Sequence, residues 1–144
     1  MPTDTASQTL EIEAPYDQTL ATIRDVATQP EWVKEVKTAE VLEANADGTP
    51  STAHFTAATP VGTDEYTLAY EHRDDGLSWS LVEGRLQTGQ DGCYTLRRLG
   101  KARTEVTFAL TISHNLPLPG FVRRRVLNGL VTSTVTGLKR YLED

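Results

Sequence analysis

The chain has 144 residues, a formal net charge of -6, 38% hydrophobic and 24% charged residues, which gives one ordinary globular domain over residues 1–144 with one real core. The acidic balance excludes a general nucleic-acid binder, because phosphate neutralisation needs clustered excess Lys and Arg. The single cysteine, Cys93, excludes an internal disulfide and a cysteine-cluster metal site, and fits a reducing, cytoplasmic setting. No apolar run is long enough to cross a membrane, and the start MPTDTASQ carries no signal-peptide pattern.

Residues 1–5 are polar and read as a frayed start. Ser7–Glu13 alternates, with Leu10 and Ile12 on one face, and reads as a strand that Ala14-Pro15 breaks. Tyr16–Thr28 reads as a helix in which Tyr16, Leu20, Ile23 and Ala27 share a face, with Asp17 at the positive dipole end. Gln29-Pro30 stops it, and Pro30–Lys34 reads as a short helical turn carrying Trp32. Six strands follow: Lys37–Glu43, Ser51–Ala58, Asp64–His72, Leu77–Glu83, Gln90–Leu99 and Arg103–Ser113. Turn signals at Ala46-Asp47-Gly48, Pro60-Val61-Gly62, Asp74-Asp75-Gly76, Thr88-Gly89 and Leu99-Gly100-Lys101 separate them into antiparallel hairpins.

The last stretch, Pro117–Asp144, reads as one long amphipathic helix with Pro119 in its first turn. Leu127, Leu130, Val131, Thr134, Val135, Leu138, Tyr141 and Leu142 form its apolar face. Gly129, Ser133 and Gly137 lie beside that stripe. Interior glycines cost a helix roughly 1 kcal/mol each, so these mark a close approach. Two readings stay open: tight packing on a neighbour, or a shallow wall beside a ligand.

Alternation assigns one sheet face to Phe55, Tyr66, Leu68, Tyr70, Leu77, Trp79, Leu81, Tyr94, Leu96, Val106, Phe108, Leu110 and Ile112. The other face carries Glu65, Thr67, Glu71, Ser78, Ser80, Glu105, Thr107 and Thr111. One wet face and one apolar face is the pattern of an antiparallel sheet with a single cover, and the terminal helix is the cover available. A bent, aromatic sheet face opposite a helix with small residues leaves space for an apolar guest.

The order of elements is matched by more local marks. These are the first strand running into Ala-Pro-Tyr-Asp-Gln-Thr-Leu at 14–20, Gln29-Pro30-Glu31-Trp32-Val33 ahead of the next strand, and the terminal Gly137-Leu138-Lys139-Arg140-Tyr141-Leu142. Over nearly its whole length the chain resembles the START/Bet v 1-like helix-grip superfamily. Within it, the chain resembles the small bacterial polyketide cyclase/dehydrase and lipid transport proteins. The resemblance implies an α+β helix-grip fold: a seven-stranded antiparallel sheet around a long C-terminal helix, two short helices between strands 1 and 2, and a deep hydrophobic cavity. It also places Trp32 near the cavity mouth.

Few residues carry chemistry. His54, His72 and His114 share no metal-ligand spacing and read as surface or loop residues. No nucleophile, zinc or phosphate-loop motif occurs, and Cys93 falls off the core face. Asp64-Glu65 and Asp74-Asp75 lie in or beside turns, where adjacent residues point to opposite faces, and read as solvated charge. Arg85 reads as a strand-end charge or as a group reaching toward the cavity end. Arg123-Arg124-Arg125 opposes the helix dipole. Pairing with acidic side chains explains it, as does transient contact of Leu116, Leu118, Phe121 and Arg123 with an anionic membrane surface.

The expected ligand-binding residues are Trp32, Phe55, Tyr66, Leu68, Tyr70, Trp79, Leu81, Tyr94, Phe108, Leu130, Ser133 and Gly137. They line an enclosed, mainly apolar pocket. The partner expected is a hydrophobic small molecule: a lipid, an isoprenoid or quinone, or a polyketide. No catalytic residue, metal or cofactor is assigned. The alternatives are a polyketide cyclase/dehydratase-type enzyme and a protein-interaction module.

Overall fold

The computed structural model describes residues 3–143. Its elements are β1 (Thr3–Ile12), α1 (Tyr16–Arg24), a 3-10 turn (Val26–Thr28), α2 (Gln29–Trp32), β2 (Val36–Ala44), β3 (Pro50–Thr59), β4 (Gly62–Arg73), β5 (Gly76–Gly84), β6 (Gln87–Gly100), β7 (Arg103–His114) and α3 (Gly120–Glu143). The strands form one seven-stranded sheet in the order β1-β7-β6-β5-β4-β3-β2, antiparallel throughout. This is the helix-grip arrangement, and the alternation of apolar residues along the strands specifies which face it buries.

The start differs from expectation. Residues 3–5 belong to β1 and pair with Ser113, Ile112 and Thr111 of β7. Their polarity does not fray them, because the hydroxyls meet across the strands: Thr3 with Ser113 at 2.7 Å, Thr5 with Thr111 at 2.9 Å and Thr9 with Thr107 at 2.9 Å. Such cross-strand pairs stabilise a sheet face that needs no apolar cover. Residues 1 and 2 lie outside the described residues, as does Asp144.

The helix expected over 16–28 ends at Arg24. Asp25 leaves the helical region, with φ -85° and ψ 73°, and the chain tightens into the 3-10 turn. The consequence is that Val26 is buried while Ala27, expected on the buried face, is exposed.

α3 lies along β1 and, less closely, β7. Pro119 precedes it and its carbonyl accepts the amides of Val122 and Arg123, so a residue without an N–H sits where none is needed. Leu127, Val131, Thr134, Val135 and Leu138 form its buried stripe. With α3 held against one end of the sheet, its N-terminal half stands away from β3 and β4. The gap between them is the cavity.

Candidate functional site

A cavity of about 450 Å³ opens between the first half of α3, the loop after β7 and the β3–β4 end of the sheet. Val36, Ala57, Tyr66, Leu110, Ile112, Leu127 and Leu130 form its apolar walls. Lys34, Pro60, Arg125, Val126 and Gly129 line it too and are solvent-exposed, so the cavity has a mouth and is not enclosed. A second space of about 50 Å³ lies deeper, against α2, and shares Val36, Tyr66, Gln90, Leu110 and Leu130 with the first.

Beyond that, aromatic rings fill the grip. Trp79 packs on Tyr94 with centroids 5.4 Å apart and on Phe108 at 5.8 Å, and Tyr94 stacks on Phe108 at 4.8 Å. Gly92 makes this packing possible. It pairs with Trp79 across β5 and β6, and a Cβ there would lie 2.3 Å from the indole ring.

Seven expected site residues line these spaces: Tyr66, Leu68, Tyr70, Trp79, Tyr94, Phe108 and Leu130. Five turn elsewhere. Phe55 is fully buried against Tyr66, with ring centroids 5.4 Å apart. Leu81 is half-buried against the core. Trp32 is buried beneath α3, and its indole N–H donates to Thr28 Oγ1 at 3.1 Å. The Ser133 hydroxyl donates to Glu35 Oε1 at 2.7 Å. Gly137 abuts the Trp32 carbonyl, since a Cβ there would sit 1.8 Å from that oxygen. Its position is one of close packing between α3 and α2.

The cavity also holds polar groups that are not among the expected ligand-binding residues. Asp64, expected to be solvated, is 4% exposed. It follows the same alternation as Tyr66, Leu68 and Tyr70, which brings it inward. Its Oδ1 accepts the Leu86 amide at 2.8 Å and its Oδ2 the Gln87 side-chain amide at 2.8 Å. The Gln90 amide nitrogen donates to Gln87 Oε1 at 2.7 Å, and the Trp79 indole N–H donates to Gln90 Oε1 at 2.8 Å. All four side chains are buried. Residues 87 and 90 would face opposite ways in a regular strand. The β6–β7 pairing slips between Gln87 and Gly89, and this bulge turns both inward. Thr88-Gly89, expected as a turn, therefore lies inside β6, and the hairpin turns at Arg85-Leu86 instead. Arg85 is exposed and donates to the Thr63 carbonyl at 3.2 Å, clear of the cavity.

Tyr66 lines both spaces and Tyr94 the deeper one, and among the described residues neither hydroxyl has a hydrogen-bond partner. Burial holds both phenols well above their ordinary range, and the charge of Asp64 adds to the shift at Tyr66. Burial also raises Tyr70, against a smaller opposing effect from Gln29.

At the other end, His114 lines the cavity, where a surface position was expected. Its Nδ1 accepts the Leu116 amide at 3.1 Å. Burial lowers its pKa, Arg123 lowers it further, and Asp4 opposes both. Arg123 turns inward: its Nε donates to Asp4 Oδ2 at 2.9 Å and its Nη1 to the Leu118 carbonyl at 3.2 Å. Leu116 and Leu118 also line the cavity. Of the segment expected at a membrane surface, Phe121 is 61% exposed, and Arg124 and Arg125 of the basic run are exposed with it.

A family model described as polyketide cyclase / dehydrase and lipid transport matches residues 12–139. No curated protein matches the chain in sequence. A START superfamily protein from Mycobacterium smegmatis has the same fold at TM-score 0.89 and 21% identity, covering 96% of this chain and 97% of that one. A protein from Thermus thermophilus follows at TM-score 0.83 and 18% identity, covering 97% of each. The Zhui aromatase/cyclase from a Streptomyces species superposes at TM-score 0.82 and 12% identity, covering 99% of this chain and 94% of that one.

Proposed function

The chain belongs to the polyketide cyclase / dehydrase and lipid transport family, and from that premise we propose that it binds and carries a hydrophobic small molecule in the cavity under α3. The observation that carries this reading is the open space of about 450 Å³ between apolar walls. It lies within the range of small-molecule sites, which pair apolar linings with a few placed polar groups. The ligand class is a lipid, isoprenoid, quinone or polyketide. The lone Cys93 fits a cytoplasmic setting. Exposed Phe121 beside Arg124 and Arg125 supports ligand exchange by transient contact with an anionic membrane surface.

Carriage is favoured over conversion by the tyrosines. Burial pushes Tyr66, Tyr70 and Tyr94 away from the operating pH, whereas a general acid or base works best near it. The second reading is a polyketide cyclase-type enzyme. It is supported by Asp64 and Tyr66, which bring a carboxylate and a phenol to the cavity from one strand.

Single Tyr→Phe changes at 66, 70 and 94 test the choice. A carrier loses roughly 0.5–1.5 kcal/mol of affinity at each hydroxyl that touches the guest, under about fifteenfold, with no dominant position. An enzyme loses about a hundredfold or more in turnover at one of them. A single tyrosine whose removal abolishes conversion of a polyketide-like substrate, with binding intact, overturns the carrier reading.

A further inference from the structure

The buried relay that ends at Asp64 has a direction. An indole N–H can only donate, so Trp79 fixes the Gln90 oxygen toward itself. The Gln90 nitrogen must then face the Gln87 oxygen, and the Gln87 nitrogen must face Asp64. Every donor in the chain is handed toward the carboxylate, and the Leu86 amide adds another. Asp64 nevertheless has no cationic partner among the described residues. The carboxylate has about four acceptor sites, and two are taken. Leaving such a group buried costs the fold unless its remaining capacity is used.

The surroundings point the same way. Arg123, the cation set into the cavity wall, is already held by Asp4 and the Leu118 carbonyl. Lys34 and Arg125 stand at the exposed rim. Tyr66 lines the same cavity as the acid, and among the described residues its hydroxyl lacks a partner; the Tyr94 hydroxyl, likewise without one among them, faces the deeper space. A guest therefore meets an acceptor in Asp64 and a phenol in Tyr66 that both donates and accepts, with no cation paired to Asp64 among the described residues.

Resting on the cavity-binding reading, we propose that Asp64 is the recognition group for the ligand. That ligand is an apolar molecule carrying a hydrogen-bond-donating head, a hydroxyl or a protonated amine, and not a fatty acid or another anion. Asp64 would accept from that head while Gln87 and the Leu86 amide hold the carboxylate in place.

Four probes on one apolar scaffold test this by equilibrium dialysis at neutral pH: methylnaphthalene, naphthalenemethanol, naphthylmethylamine in its ammonium form, and naphthylacetate. The wild type is expected to bind the alcohol or the ammonium at least about tenfold more tightly than the methyl probe, with the carboxylate weakest. The better of the two donors tells a neutral hydroxylated ligand from a cationic one. Asp64→Asn should bring all probes to within about threefold of methylnaphthalene, while Glu65→Gln, on the exposed face, should keep the ranking. If Asp64→Asn does not fold, the wild-type ranking decides alone. Carboxylate binding as tight as the alcohol overturns the proposal, as does discrimination that survives in folded Asp64→Asn. If all four bind alike and the cavity-filling pair Ala57→Phe with Leu130→Trp blocks them, ligand binding stands and the role of Asp64 falls. If none binds, both fall.

Discussion

Gly129 and Gly137 belong to one helix, and the same substitution should move stability in opposite directions at the two. At Gly129 an added Cβ meets nothing within 4 Å. Gly129→Ala then gains helix propensity alone, up to about 1 kcal/mol. At Gly137 the Cβ would stand 1.8 Å from the Trp32 carbonyl oxygen, and ordinary contact begins at 3.4 Å. α3 or the end of α2 must give way by about 1.6 Å, the difference of those distances. The obstacle is backbone, so no rotamer change relieves it. Retreat of α3 also loosens Val135 and Leu138, both fully buried next to it. Overpacking of this kind costs about 1–3 kcal/mol, so Gly137→Ala should lose about 2 kcal/mol net of the propensity gain. For a chain of this size that is a fall of about 4–8 °C in Tm, against a rise of about 2–4 °C for Gly129→Ala. Urea and thermal melts of the two variants and the wild type make the comparison. A Gly137→Ala variant as stable as the wild type would refute the close-packing account of this helix.

The polarity of the buried relay predicts a coupling. Asp64→Asn places an amide nitrogen against a donor that cannot reverse while Trp79 anchors the chain, and should cost about 1–3 kcal/mol. In a Trp79→Phe background both glutamines are free to flip, so the added cost of Asp64→Asn should shrink by about 1 kcal/mol, and additive losses in urea melts would contradict the assigned orientation. The buried tyrosines predict alkaline instability. Tyr70 and Tyr94 stay protonated in the fold, their pKa values raised by burial, while the unfolded chain ionises near pH 10. Their contribution is complete below pH 10 and is lost above it, at about 1.4 kcal/mol per pH unit for each. Tyr94→Phe should reduce that slope by one tyrosine's share in melts between pH 10 and 11, and an unchanged slope would count against its burial.

Legibility in the sequence followed the regularity of the backbone. Hairpin after hairpin, alternation identifies the inner-face residues from Phe55 to Ile112, because the strands keep their period of two wherever the pairing is regular. Asp64 obeyed the same period, yet its place beside a turn made a solvated carboxylate the natural reading. What buries it is the Gln87 amide delivered from β6, and no local pattern announces that partner. Gln87 itself was hidden by the bulge, since an irregular strand breaks the rule that assigns faces. Gly137 stood out as a helix glycine, but whether it faces a guest or a carbonyl depends on where α2 ends. That end is fixed by tertiary packing around Trp32. Thr3 and Thr5 show the same limit from the other side, because a polar start looks frayed until the hydroxyls of β7 are placed opposite.

Native mass spectrometry tests the central claim most directly. Wild-type protein and the Ala57→Phe, Leu130→Trp double variant, both lining positions of the main cavity, are each incubated with a total lipid extract, desalted and sprayed without denaturation. The account predicts a one-to-one apolar adduct on the wild type and its loss from the folded variant. An adduct of equal mass and abundance on both proteins, or none on the wild type, would contradict it.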